Sequence, residues 1–247
     1  MAIKKGDFIE LSYTGRILES GKVFDTNDES AAKKEGVFNA KSKYEPIVVC
    51  VGEEDVVKGL DESFEGKDAG KPYSIEVPAE KAFGKKDAKM YKLVPASLFK
   101  DELRPMPGLQ VTFNNGQSGV IKTVSGGRIL VDFNHPLAGH ALKYDVKIVK
   151  QVVDDAEKLK GFIKFYLGMD DAAVDVKDGK AKITMKTAMP AEIQNLVKEK
   201  AMKRILSIKE VEFAGHEKAV PKKEEAVEKK PESEKKEEIQ KAPAKKQ

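Results

Sequence analysis

From Asp7 to Val153 the chain is a series of short alternating apolar runs cut by glycine turns, a pattern that constrains it to a mostly antiparallel β region. Ile9, Leu11 and Tyr13 alternate, as do Tyr73, Ile75 and Val77, and again Tyr144, Val146 and Ile148. A period of two places every second side chain on one face of a strand. Thr14-Gly15, Ser20-Gly21, Glu65-Gly66, Asn115-Gly116 and Gly126-Gly127 supply turns between the runs. Ile47-Val48-Val49-Cys50-Val51 is the longest apolar run and reads as a strand buried on both faces. It is far short of the ~20 residues a membrane helix needs. Asp55 to Phe64 reads as a short helix, and the region falls into two sub-blocks.

The pattern changes after Val153. Asp154-x-x-Glu157 matches a capping box, and Leu159, Phe162, Ile163 and Tyr166 follow at helical spacing up to Gly168. Val174-Asp175-Val176 and Ala181 to Met185 alternate on either side of Asp178-Gly179, a two-residue hairpin signal. Pro190 opens a second helix with Ile193, Leu196, Val197, Ala201 and Ile205 on one stripe, and Ile208 to Phe213 reads as a last strand. The expected order over 154–215 is therefore α-β-β-α-β, in a separate domain. About 60 residues bury only a thin core, so a homodimer through this domain is expected. From His216 to Gln247 there are ten lysines, eight glutamates and three prolines. Such a segment cannot offset a chain entropy of ~1–2 kcal/mol per residue, so 216–247 is expected to be a disordered charged tail. It reads either as a solubilising tail or as a weak tether to RNA or acidic surfaces.

Composition narrows the chemistry. Lys and Arg number 45 and Asp and Glu 41, for a net charge of +4. That is too small an excess, too finely interleaved, for a dedicated nucleic-acid binder, so no specific nucleic-acid partner is expected. The single cysteine, Cys50, excludes an internal disulfide framework and fits a cytoplasmic setting. The opening Met1-Ala2-Ile3-Lys4-Lys5-Gly6-Asp7 has no apolar stretch behind its lysines, so neither a secretory signal nor a membrane partner is expected. There is no His/Cys cluster with metal spacing, no phosphate-binding Gly-rich loop, no dinucleotide fingerprint and no Gly-x-Ser-x-Gly. His135 and His140 flank Pro136 and Gly139, which suits loop hydrogen bonding better than a ligand pair. An enzyme built from this chain would use neither a nucleophile, a metal nor a cofactor.

Four segments in order carry a resemblance. They are Leu11-Ser12-Tyr13-Thr14-Gly15 with Ser20-Gly21-Lys22-Val23-Phe24-Asp25-Thr26, then Val51 to Leu60, then Ala82-Phe83-Gly84, then Leu142-Lys143-Tyr144-Asp145-Val146. Together they resemble the FKBP family of peptidyl-prolyl isomerases. Between Gly84 and Leu142 lie 57 residues, Lys85 to Ala141, where the simplest members have a short loop. This insert, ending in Asp132-Phe133-Asn134-His135-Pro136-Leu137-Ala138-Gly139, resembles the chaperone domain of SlyD-like members, and the extra C-terminal unit resembles the long archaeal branch.

The resemblance implies an α+β fold with four parts: an antiparallel half-barrel with a short helix over 1–84 and 142–153, a small β-rich insert over 85–141, a C-terminal α/β domain over 154–215 and the tail. It implies a cofactor-independent cis–trans isomerase acting on X-Pro bonds of unfolded or proline-containing polypeptides, and affinity for FK506-like macrolides. Carried over by residue, Tyr13, Phe24, Asp25, Val57 and Phe83 are the catalytic set, and Ile47, Val56, Leu60 and Tyr144 complete the substrate pocket. The Val57 N–H would hold a substrate carbonyl, and Asp25 would orient Tyr13 or polarise the substrate. On residue type alone Ile47, Val56, Val57 and Tyr144 read as core, and Asp25 as a turn cap. Phe83 stands where members usually carry tyrosine, which removes a hydroxyl donor and leaves a non-catalytic holdase as the alternative. Asp28 to Tyr44 carries no readable motif.

In the insert, Met90, Leu93, Val94, Leu98, Phe99, Leu103, Met106, Leu109 and Phe113 form an apolar series broken by prolines. It reads either as an ordinary small core or as a surface for unfolded chains, with Met90, Leu93, Phe99 and Met106 exposed.

Overall fold

The structure is a computed structural model that describes residues 2–99, 104–185, 189–214 and 239–240. In chain order the elements are β1 (Phe8–Ile17), β2 (Val23–Thr26), α1 (Glu29–Lys34), β3 (Ile47–Cys50), α2 (Lys58–Glu62), β4 (Pro72–Val77), β5 (Tyr91–Pro95), β6 (Gln110–Phe113), β7 (Ser118–Ser125), β8 (Arg128–Asp132), β9 (Leu142–Val152), α3 (Asp155–Leu167), β10 (Ala173–Lys177), β11 (Lys180–Thr184), α4 (Ala191–Arg204), β12 (Glu210–Ala214) and β13 (Ile239–Gln240). The fold is mixed α+β. Among the described residues the chain divides into two units, one of 2–82 with 141–214 and one of 83–140 with 239–240. No helix among the described residues is long and apolar enough to cross a membrane.

The first unit is organised by a curled antiparallel sheet ordered β2-β1-β9-β4, with β3 on β1. Leu11 pairs with Ile148, Tyr13 with Val146, Gly15 with Tyr144 and Ile17 with Leu142, so the alternation seen in the sequence becomes one shared face. The pairing then slips: Glu10 faces Lys150, leaving Val149 as an extra residue. An extra residue reverses which face each later side chain occupies. Past the bulge Val152, together with Phe8 and Cys50, faces a second core.

That second core belongs to the C-terminal unit. Its elements run α3, β10, β11, α4 and β12, with β11 and β12 parallel. The Asp154 side chain caps α3 by accepting from Glu157 N–H at 2.8 Å, and Gly168 ends it in the left-handed conformation. Asp178 and Gly179, at φ 50° and 77°, make the tight turn of the β10–β11 hairpin. Leu159, Phe162, Ile163, Ala181, Ile183, Val197, Ala201, Ile205, Ile208 and Val211 form one buried cluster with Phe8, Cys50 and Val152. Residues 155–214 thus do not close a core of their own, because the sheet of β1, β3 and β9 supplies one wall. Leu196, placed on the apolar stripe by spacing, is 47% exposed.

Gly161 of α3 packs directly on β3. A Cβ there would stand 2.5 Å from Val48 Cβ on β3. Gly161→Ala should therefore destabilise by about 1–2 kcal/mol through overpacking, against the ~1 kcal/mol gain that helix propensity alone forecasts. Thermal denaturation checks the sign. The strand itself ends at Cys50, and Ile47 and Val48 are half-buried rather than buried on both faces, since β3 is an edge strand that among the described residues pairs with β1 alone.

Asp28 to Tyr44 is locally structured. Asp28 accepts from Ala31 N–H at 2.9 Å and so caps α1, and Phe38 stacks on Tyr44 at 5.4 Å. In the second unit the sheet order is β13-β6-β7-β8-β5, over a core of Val94, Phe99, Val111, Phe113, Ile121, Ile129 and Val131. Leu103 lies outside the described residues. So does the expected disordered tail, except for Ile239 and Gln240, which pair antiparallel with Phe113 and Thr112.

Candidate functional site

Across the first sheet one row of residues stands side by side: Asp25 on β2, Gly15 on β1, Tyr144 on β9 and Ile75 on β4. Tyr13 shares the face of Gly15, two residues earlier. The β1–β2 register passes from Gly15 opposite Asp25 to Arg16 opposite Val23, which leaves Phe24 as a bulge residue. This bulge lets two consecutive side chains serve one cluster. The Phe24 ring meets Tyr144 edge-on at 5.8 Å, while Asp25 Oδ2 accepts the Tyr13 hydroxyl at 2.7 Å. Tyr13 and Tyr144 lie 6.3 Å apart, tilted by 57°. Gly15 lies tight beneath two of these rings: a Cβ there would stand 2.6 Å from Phe24 Cζ and 3.0 Å from Tyr144 Cε1.

Buried Asn27 fixes the frame. Its Oδ1 accepts from Tyr13 N–H at 2.7 Å and its Nδ2 donates to Leu11 O at 2.9 Å, pinning β1 where Tyr13 leaves it. Burial, and then the nearby Asp25 charge, pushes the ionisation of the Tyr13 hydroxyl far above the ordinary tyrosine value. Burial followed by Asp25 does the same to Tyr144. Both hydroxyls therefore stay protonated donors at neutral pH. The folded state holds these protons more tightly than an unfolded chain, whose tyrosines ionise at about pH 10. The associated stabilisation is present in full below that pH and is lost as pH rises above it. Activity and thermal stability should accordingly show no tyrosine titration through neutrality and should both fall in the alkaline range above about pH 10.

A second group of expected residues lies on the loop before α2. Val57 caps α2, so its N–H stands outside the helix hydrogen-bond ladder. Val56 and Val57 are half-buried, and Leu60 is 1% exposed and part of the core beneath the loop. The loop is anchored by Asp61, a buried carboxylate accepting from Gly52 N–H and Glu54 N–H, each at 2.9 Å. Burial raises the Asp61 pKa against the lowering effect of these two bonds. Ile47 sits opposite Leu11 at the start of β3 and is half-buried.

The structure thus brings Tyr13, Phe24, Asp25 and Tyr144 into one cluster and gathers Val56, Val57 and Leu60 at the start of α2. Phe83 belongs to the second unit, where it stacks on His135 at 4.3 Å. The His135 Nδ1 accepts from Leu137 N–H at 3.2 Å, a loop hydrogen bond. Thr14-Gly15, expected as a turn, lies inside β1, where β9 and β2 pair on either side of it; Asn27 and Asp61 were not singled out from the sequence. Asp61 carried the clearest signal, a carboxylate directly after Leu60 at the apolar start of α2. In the insert, Leu93 at 64% and Met106 at 57% are exposed and Met90 is 37% exposed. Phe99, expected with them, is instead 7% exposed and packed on Phe113 at 6.4 Å, because the core of this small sheet needs a large ring. Among the described residues no group of three His, Cys, Asp or Glu is placed to hold a metal ion.

Comparison with known proteins finds relatives by sequence. The family model for FKBP-type peptidyl-prolyl cis-trans isomerase matches residues 1–103, and a second model, described as FKBP26, IF domain, matches residues 92–137. A short-type peptidyl-prolyl cis-trans isomerase of Methanocaldococcus jannaschii is 34% identical over 148 residues, which cover 59% of this chain and 92% of that protein. The FKBP-type peptidyl-prolyl cis-trans isomerase SlyD of Vibrio cholerae is 29% identical over 154 residues, covering 60% of this chain and 68% of that protein.

Proposed function

The chain belongs to the FKBP-type peptidyl-prolyl cis–trans isomerases, and from that premise we propose that the cluster around Tyr144 is where an X-Pro bond is twisted and that the inserted unit binds unfolded clients. The observation that carries the reading is the aromatic cluster itself: Phe24 and Tyr144 packed over Gly15, Tyr13 beside Tyr144, and Asp25 accepting the Tyr13 hydroxyl. Amide resonance sets a rotation barrier of ~18–20 kcal/mol. The planar imide is more charge-separated than the twisted one, so an apolar wall disfavours the ground state relative to the transition state. Phe24 and Tyr144 supply the wall for the proline ring. Asp25 orients Tyr13 as a protonated donor, and the Val57 N–H holds a substrate carbonyl. A thousandfold acceleration requires about 4 kcal/mol of such differential stabilisation.

The peptide assay tests this reading. Purified protein should accelerate isomerisation of an X-Pro tetrapeptide, FK506 should inhibit it, and Asp25→Ala should slow it severalfold with the circular-dichroism spectrum intact. Uncatalysed rates from the wild type would hand the function to a non-catalytic holdase. The insert's client role is supported by exposed Leu93 and Met106, flexible or branched apolar groups beside the covered core. We place the protein in the cytoplasm, where a single buried thiol is at home; burial pushes the Cys50 pKa up to about 12.

A homodimer through the C-terminal unit remains part of this reading, on altered grounds. The thin-core argument no longer applies, since the first sheet completes that core. Exposed Leu196 and Leu206 are what a second copy would cover. Light scattering that gives a monomer at tens of micromolar would rule it out.

A further inference from the structure

Asp55 stands two residues before Val57, yet two of its partners lie on the C-terminal helices. Its Oδ1 receives Arg204 Nη1 of α4 at 2.6 Å and the Tyr166 hydroxyl of α3, and its Oδ2 receives Cys50 N–H at 2.9 Å. Arg204 also reaches Glu53, with Nε 3.5 Å from Oε2 and Nη2 3.5 Å from the backbone oxygen. The guanidinium lies over the rings of Phe162 and Tyr166 at 5.5 and 5.0 Å. The Arg204 and Asp55 side chains are 7% and 3% exposed. A pair this dry resists separation, because either charge alone would be buried without a counter-charge. On the other side of the same loop Asp61 holds the Gly52 and Glu54 N–H groups. Between these two anchors Glu54 sits at φ 55°, a conformation costly for a side chain with a Cβ, which persists where its surroundings over-determine it.

We infer that the C-terminal unit positions the isomerase site: Arg204 and Tyr166 hold Asp55, and through it the Val56-Val57 segment, where the Val57 N–H meets the substrate carbonyl. Both are positioning residues, and neither touches substrate. The inference rests on the reading of Val57 given above. It gives the α-β-β-α-β unit a role in the reaction that its place after the last strand of the sheet does not announce.

The test uses the full chain and two readouts, amide exchange at Val57 and kcat/KM on an X-Pro tetrapeptide. Arg204→Met should speed Val57 exchange and lower kcat/KM, each roughly tenfold, since small misplacements of binding groups act strongly on rate. Arg204→Lys, which keeps the charge but loses the fork, should recover part of both. Tyr166→Phe, which keeps the ring under Arg204, should move both in the same direction by less. Val197→Ala, on the same helix and in the same core, is the control: it should lower the thermal midpoint while leaving both readouts near wild type. The inference is overturned if Arg204→Met leaves either readout at wild type, or if Val197→Ala moves them as far. Asp25→Ala separates the two claims: it should lower kcat/KM without changing Val57 exchange. Turnover lost in Asp25→Ala but kept in Arg204→Met sinks the brace alone. A wild type without turnover sinks the reading of the site, and exchange at Val57 then decides the mechanical link by itself.

Discussion

Gly15→Ala should cut X-Pro tetrapeptide turnover by roughly ten- to a hundredfold, the scale at which an ångström of misplacement acts on catalysis. The added methyl would stand 2.6 Å from Phe24 Cζ and 3.0 Å from Tyr144 Cε1, well inside ordinary contact. One of the two rings has to move by about an ångström to reach van der Waals distance. Neither move is neutral. Phe24 is fixed by the bulge opposite Gly15, and Tyr144 is hydrogen-bonded through its backbone between β1 and β4. Backbone geometry is not the obstacle, since φ at position 15 is not in the left-handed region. The loss should therefore appear in activity more than in folding. An unchanged kcat/KM with an unchanged fold would show that the placement of Phe24 and Tyr144 over Gly15 does not set the site where the proline ring sits.

The second large effect concerns the insert. Replacing residues 85–141 by a short loop should leave tetrapeptide turnover largely intact and reduce catalysis of proline-limited refolding by an order of magnitude or more. The reason is effective concentration. A client chain held by Leu93 or Met106 is tethered to the same polypeptide as the Tyr144 cluster, which raises the local concentration of its X-Pro bonds to the millimolar range without any new contact to the proline. A tetrapeptide is too short to use the tether. Both activities falling together would make the insert part of the pocket. Neither falling would remove it from client binding.

Much of the fold is legible in the sequence. The period-two runs named the strands, and four short segments in order named the family, because strands at fixed register leave the residues that meet across them at fixed spacing. What escaped reading was non-local or non-periodic. An alternation such as Tyr144, Val146, Ile148 does not say where an extra residue will enter, so neither the Val149 bulge that turns β9 from one core to the other nor the Phe24 bulge was visible. A helical stripe says that a face is covered but not by what. Residues 155–214 therefore looked like a domain in need of a second copy, while their partner was the sheet carrying Phe8, Cys50 and Val152. Phe99 and Leu93 are alike in composition terms, yet one is core and the other is open, a difference decided by which side of a five-residue strand or turn each occupies. The Arg204–Asp55 pair joins residues 149 apart, beyond the reach of any local pattern.

The central claim is that the space bounded by Tyr13, Phe24 and Tyr144 is where the X-Pro bond rotates. Exchange spectroscopy on an X-Pro tetrapeptide, recorded with catalytic amounts of isotope-labelled protein, tests it most directly, because one sample reports both the cis–trans rate and the protein amides that respond. The account predicts exchange well above the uncatalysed rate, with shift changes concentrated at Gly15, Asp25, Val57 and Tyr144. Accelerated exchange with those four amides unmoved, or shifts there without acceleration, would contradict it.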